Sequence, residues 1–410
     1  MSNFVFKHSN GATIKDGLDI LRVSTNADGS QKVEVFVESS AAFSEINAYP
    51  VAATDPAPVP DPVEPVDPVP VDPAPVDPTP GTAADINGPA ELAAALAAGN
   101  GTFTLAGGDY GALPDMPDGT TLIGADPANK PTFSASFIKD RDGITLDGLH
   151  FKHTYVSGDG DSKNVLYLNG VTNFVMRNCE VEGDRNDNGS CIGRGVRTSG
   201  GDNLLFEGNE IHTVWKAIGI SSSNATLRGN DIHTFRSDGI NTGAVVNFLA
   251  ESNYIHDADS VEGAKDHRDS IQLMGAADGM IIRNNFIDIG LGLYSQSIWS
   301  DAKNRMGNMI VADNVIINSH TNGIALHNID NIEVTGNVVV WLPRDDAASQ
   351  GVQTPKINVN ATSPNVTGNT APGIMSPSGV DAQNTIQDGD PAATRAAARA
   401  DPRWAHFFGG

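Results

Sequence analysis

The chain of 410 residues has two cysteines, Cys179 and Cys191, and 6% aromatic residues. Two thiols can neither staple a chain of this length nor complete a zinc set, so the fold must stand on packing. Basic side chains are also scarce. Lys and Arg number 26 against 50 Asp and Glu, leaving −24 with histidine neutral. A surface that negative repels phosphate backbones, which argues against nucleic acid as a partner. No apolar run reaches the roughly 18 residues of a spanning helix, so no membrane partner is expected. The start, MSNFVFKHSNGATIKDG, lacks a basic stretch followed by an apolar one, and no Sec-type signal peptide is expected. What is abundant is Gly (43) and Pro (24), a composition that favours a turn-rich β protein over a helical bundle.

Residues 55–80 read DPAPVPDPVEPVDPVPVDPAPVDPTP, with 11 prolines, six acids and no base. Such a segment can form neither ladder nor helix. It is expected to be an acidic polyproline II linker that spans up to ~80 Å at ~3.1 Å per residue. It separates a head, residues 1–54, from a long body. In the head, LDILRVS and KVEVFVES alternate apolar and polar residues around TNADGSQ, the pattern of two strands and a turn. The head carries no catalytic constellation and is expected to anchor the chain.

The body, 81–374, opens on a short Ala/Leu helix over 90–98 that stops at Gly99-Asn100-Gly101. A repeat follows, apolar-x-x-[G/N/D/S]-N-x-[I/V], with Asn209, Asn230, Asn253, Asn285, Asn314 and Asn337 at one position and intervals of 21 to 32 residues. Asn369 extends the series, and Cys179 and Leu149 hold the same place earlier. A second column, about ten residues later, aligns Ile192, Ile218, Ile240, Ile271, Ile298 and Ile324. Stacked repeats of this kind let asparagine amides bond along the axis while aliphatic residues fill the interior. The tail, 375–410, offers Asp390 as N-cap and Pro391 at the first helical position. With Trp404, Phe407 and Phe408 it is expected to cover the open last coil or to join subunits.

The Ala-rich helix, the phrase TFTLAGGDYG and the Asn-bearing repeats resemble a right-handed parallel β-helix of the pectate-lyase-like superfamily, over roughly residues 84–374. The expected fold class is therefore all-β. Hydrolases, lyases, epimerases and binding spikes share this scaffold, so fold alone does not assign an activity. The order of small β head, stiff linker and β-helix resembles a spike or fibre of a phage or phage-like, gene-transfer-agent particle. That resemblance implies a virion location, a capsid or tail protein bound through residues 1–54, and host cell-surface polysaccharide as the partner of the body. It also raises a homo-oligomer, although no outward apolar face for a trimer contact is evident. Two alternatives stand beside it, a secreted extracellular polysaccharide lyase or epimerase and a non-catalytic glycan-binding adhesin.

In a β-helix a column of sequence becomes a row in space, with steps of ~4.8 Å. Two positions before the second-column isoleucines the row reads Lys216, Asp238, Asp269, Gln296, Asn322. One position after, it includes Gly219, Asn241, Gln272 and Trp299, with Arg236, Lys265, His267, Arg268, Lys303, Arg305, His320 and His327 close by. Amides and carboxylates pair with hydroxyls, and an aromatic ring stacks on a sugar, so the mix suits a glycan. Asp238 and Asp269, one rung apart, fall in the ~5 Å range of a retaining glycosidase. The competing reading for both is a turn residue that bonds its own backbone. A lyase would instead use His267, Lys265, Arg268 and Lys216 as base and cation. The candidate catalytic residues are thus Asp238, Asp269, His267 and Arg268, and the candidate binding residues Lys216, Arg236, Asn241, Gln272, Gln296, Trp299 and Asn322. None of this chemistry requires a cofactor. The segment Asp184-Arg185-Asn186-Asp187-Asn188-Gly189 matches the first half of a calcium loop, yet Gly195 stands where an EF-hand has Glu. A loop-borne structural Ca²⁺ and a plain Asp/Asn/Gly turn are its two readings.

Overall fold

The computed structural model describes residues 85–409 apart from 260–265, 291–294, 302, 344–352, 378 and 380–381, and the backbone of five strands before residue 51. Linker 55–80 and Lys265 lie outside the described residues. The chain divides into two compact units, Met1–Val69 and Pro70–Gly410.

In the first unit Asp19–Thr25 pairs antiparallel with Gln31–Val37, which pairs with Ala42–Ile46. Thr25 lies opposite Gln31, so the turn falls where TNADGSQ places it. Phe4–Phe6 pairs with Ala48–Pro50.

The second unit begins with a helix, Pro89–Ala98, whose Leu92 and Leu96, one turn apart, are buried in the common core. From Thr102 onward the chain winds as a parallel β-helix with three strands to a coil. The first sheet stacks Asp202–Glu207, Ser223–Arg228 and Val245–Glu251 and their successors. A sharp turn leads to the second sheet, which includes Tyr254–His256, Phe286–Asp288 and Val315–Asn318. The third contains Arg194–Ser199, Asp269–Leu273 and Gln296–Ser300. Long strands such as Glu210–Ile220 and Asp231–Thr242 bend through the second and third sheets in one element. Aliphatic side chains from all three sheets form one continuous core.

The asparagines occupy the turn between first and second sheets, and each is saturated there. Asn230 accepts from the backbone N–H and the side-chain amide of Asn209 at 3.1 and 2.9 Å; its own amide donates to Phe206 O and to Asn253 Oδ1. The pattern repeats through Asn253, Asn285, Asn314, Asn337 and Asn369. Asn384 ends it. Earlier, the Cys179 backbone N–H donates to Asn209, and Leu149 N–H meets the Cys179 sulfur at 3.4 Å. Burial pushes the Cys179 thiol up to about 12, so it is a structural hydrophobe rather than a nucleophile.

The residue before each ladder position has a left-handed backbone. Gly208, Gly229, Gly336 and Gly368 have φ of 60–66°, and Asn178, Asn284 and Asp313 about 54°. Glycine reaches this region without cost, and Asn and Asp reach it more cheaply than other residues. The [G/N/D/S] position of the repeat is thereby explained as a backbone requirement, with Ser252 at φ 55° the one strained member.

Three expectations change. Ile192 is not the equivalent of Ile218; the register partner is Val196. Residues 183–193 instead leave the coil as an antiparallel hairpin, Asp184–Arg185 against Cys191–Ile192, which displaces the repeat by four residues. The stack also continues past 374, since Thr385–Ile386 pairs with Thr370–Ala371. Finally, the tail packs against the side of the solenoid, not over the last coil. Helix Pro391–Ala400, N-capped by Asp390, and Trp404 lie on Phe286, Ile317 and Val340, the outward residues of the second sheet. Arg395 holds Asp288 at 2.6 Å, and the Trp404 indole donates to Asn284 O. Trp404 is thus buried on an apolar flank of the second sheet.

Candidate functional site

The third sheet brings the two predicted columns together. Backbone register runs Arg194, Lys216, Asp238, Asp269, Gln296 in one row and Arg197, Gly219, Asn241, Gln272, Trp299 in the next. Asn322 joins the first row through its side chain, which donates to Gln296 Oε1.

Asp238 and Asp269 are both fully buried. Lys216 pairs with Asp238, whose other oxygen accepts from Ser237 Oγ at 3.0 Å. Burial raises the Asp238 carboxyl to about 6, against the pull of Lys216 and with help from Asp269 next door. Asp269 Oδ2 receives Gln272 Nε2 at 2.8 Å and lies 3.0 Å from His267 Nδ1, while its Oδ1 has no hydrogen-bond partner among the described residues. Burial raises Asp269 as well, with His267 opposing. The two acids therefore form a floor beneath the amides. Asn241 donates to Gln272 Oε1 and comes within 3.4 Å of Asp238, completing an amide layer over the pair.

What faces outward is the layer above. His267 is 60% exposed, and its ring sits 5.1 Å from that of Trp299. The Asp269 carboxylate holds the imidazole above its usual value, against partial burial. Of the groups on this face, His267 alone combines exposure, a titratable ring and a buried carboxylate to orient it.

Other predicted residues serve elsewhere. Arg268 is buried beside the row, and its backbone carbonyl accepts from Gln296 N. Arg236 acts as a clip at the corner between second and third sheets. It holds Asp161 at 2.7 Å, Asp266 at 2.9 Å and Cys191 O at 2.9 Å, tying together three loops. Arg305 is paired with Asp330, and burial lowers His320 and His327. In the segment read as a calcium loop, Asn186 Oδ1 accepts from the backbone of Asn188 and Ser190, and Asp184 accepts from Tyr155 N.

The face also extends further than the sequence columns did. Upstream of Gly219 the outward row continues as Arg197, Tyr167 and Phe137. The Phe137 and Tyr167 rings stack at 5.1 Å, with Phe137 half exposed. Arg194, Arg197, Lys216 and Asn241 line a recess of about 200 Å³ with Thr198 and Ser221. The shifted alignment at Ile192 hid these positions; Val196, the true equivalent, puts Arg194 two before it and Arg197 one after.

The stacked coils and the asparagine ladder define a solenoid class, and the family comparison agrees. The family described as right-handed β-helix region matches residues 134–339, and the chain belongs to it. Among solved structures, the Dettilon tailspike protein superposes with a TM-score of 0.54 at 13% identity, over 77% of this chain and 66% of that one. This chain thus spans just under two thirds of the tailspike's length. Pectate lyase Pel9A follows at 0.47 and 10% identity, over 73% and 76% of the two chains. PfbA, a surface adhesin of Streptococcus pneumoniae, gives 0.42 and 12%, over 70% and 89%. At such identities the likeness is one of fold. No curated protein sequence matches the chain.

Proposed function

We propose that this chain is a spike or fibre protein whose third sheet binds a surface polysaccharide of a host cell, with residues 1–54 attaching it to a capsid or tail protein. The observation that carries the reading is the outward row itself. Asn241, Gln272 and Trp299 stand on consecutive rungs over a buried polar floor, with His267 beside Trp299. The floor of buried carboxylates holds the amides and His267 above it, which lowers the entropy lost when a ligand binds. The tailspike likeness is compatible with a surface location.

Binding is the primary reading because both carboxylates lie under the amide layer, out of reach of a substrate. Cleavage is the second, and the exposed His267 favours it: bonded to Asp269, it is the group able to exchange a proton with a bound sugar. Asp269 then acts as a positioning residue.

The test is titration of the full chain with purified bacterial surface polysaccharides. Trp299→Ala should weaken binding about tenfold, the ~1.4 kcal/mol of one aromatic contact. Unchanged affinity would remove this face from the assignment. Asp269→Asn should preserve binding and, where the polysaccharide is cut, slow cutting by about 100-fold or more. New reducing ends alone mark hydrolysis, and an unsaturated uronate marks a lyase. Intact bound polysaccharide marks an adhesin.

A further inference from the structure

The basic end of this face is out of balance with the rest of the molecule. In a chain of net charge −24, arginines are expected to find carboxylates, and most do. Arg141, Arg177, Arg228, Arg283, Arg305 and Arg395 each hold a carboxylate oxygen at 2.6–2.9 Å. Arg194 and Arg197 hold none among the described residues. The acid whose charge reaches Arg194, Asp161, is engaged by Arg236 at 2.7 Å.

Instead, both arginines are stacked on aromatic rings. Arg194 lies 5.3 Å from the Trp215 ring centre and Arg197 5.0 Å from that of Tyr167. Stacking occupies the face of a guanidinium and leaves its edge donors free for a planar anion. Burial and the charge of Arg197 together lower Arg194, and Asp161, already held by Arg236, offsets them only in part. The two flank a recess of about 200 Å³ that Lys216 and Asn241 also line. The acids further along do not cancel this charge. Asp238 is neutralised by Lys216 and Asp269 is joined to His267, so the face is positive at one end and near neutral beyond.

We propose that the polysaccharide bound on this face is acidic, with a uronic-acid-type carboxylate seated between Arg194 and Arg197. Its chain runs from the Phe137–Tyr167 platform, past the two arginines, to Trp299. Those end points are six rungs apart on one row, ~29 Å at ~4.8 Å per rung, so the ligand spans several sugar units. The inference rests on the glycan-binding reading and adds the charge and direction of the ligand.

The experiment uses the full chain and a panel of bacterial capsular polysaccharide fragments, some bearing uronic acids and some neutral. Each acidic fragment that binds is compared with its carboxyl-reduced form by calorimetry. Carboxyl reduction should weaken binding at least tenfold, and raising the salt should weaken the acidic form more than the reduced one. The double variant R194Q/R197Q should lose the preference for charge, binding the acidic and the reduced fragments equally, while its melting temperature stays unchanged. Tyr167→Ala should weaken both forms alike. Equal affinity for the acidic and reduced forms, or an R194Q/R197Q variant with undiminished affinity, overturns the anionic subsite and leaves glycan binding standing. Binding confined to neutral fragments does the same. Binding to no fragment of either kind overturns both readings.

Discussion

The side chains that build this solenoid are chosen by backbone geometry before they are chosen by packing. The position ahead of each ladder asparagine needs φ near +60°, and Ser252 meets that need with a β-carbon and no amide to compensate. A non-glycine residue there carries a strain of about 1–2 kcal/mol, part of which glycine returns through its freer unfolded chain. Ser252→Gly is therefore expected to stabilise the second unit by about 0.5–1 kcal/mol. The shift in the denaturant midpoint measures it. The ladder neighbours Asn230 and Asn285 should be undisturbed, because Gly229 already holds this conformation on the preceding coil. A loss of stability would mean that the Ser252 side chain makes a contact worth more than the strain.

At the scale of the element, the second sheet carries a further pattern, three residues after the ladder positions Asn209, Asn230 and Asn253. His212, His233 and His256 occupy one register position on successive coils, with rings stacked 5.0 Å apart. Each reaches an acid one rung back: Glu180, Glu210 and Asp231 in turn. Like charges on adjacent rungs would repel, yet each is offset by its own carboxylate. Burial works against a charged His256, but its hydrogen bonds to Asp231 and Asp257 outweigh it and hold the ring at about 9. A histidine raised above its unfolded value near 6.5 stabilises the fold most below that pH and loses the contribution as pH rises towards 9. The expected loss is about 1–3 kcal/mol between those limits. Thermal unfolding across that window should show it, and His256→Gln should flatten the slope and lower stability at pH 6. An equal slope in the variant would assign the effect to other groups. Asn209 and its equivalents recur within one short phrase, and Asp238 and its equivalents stand two residues before an isoleucine, so each column could be aligned by eye. The hairpin at 183–193 broke that phase and concealed Arg194 and Arg197. The fold was thus readable from repetition and the centre of the face from its columns. Burial of Asp238 and Asp269 was not readable, since it depends on which amides from adjacent coils close over them.

For the whole molecule, the decisive fact is that the two units are closed in different ways. Strands of the first pair antiparallel with one another, and those of the second form an uninterrupted parallel stack sealed laterally by its own C-terminal helix. Each described strand pairs only within its own unit, as in independently folding bodies. A chain built this way can place attachment in one body and recognition in the other. Deleting residues 1–54 is accordingly expected to leave the melting temperature of the β-helix within about 2 °C and its polysaccharide affinity unchanged, while abolishing incorporation into a particle. Particle assembly with and without the deletion, followed by sedimentation, separates the outcomes. Incorporation of the truncated chain would move attachment to the β-helix itself. A large fall in melting temperature would show instead that the first unit is part of the structural core.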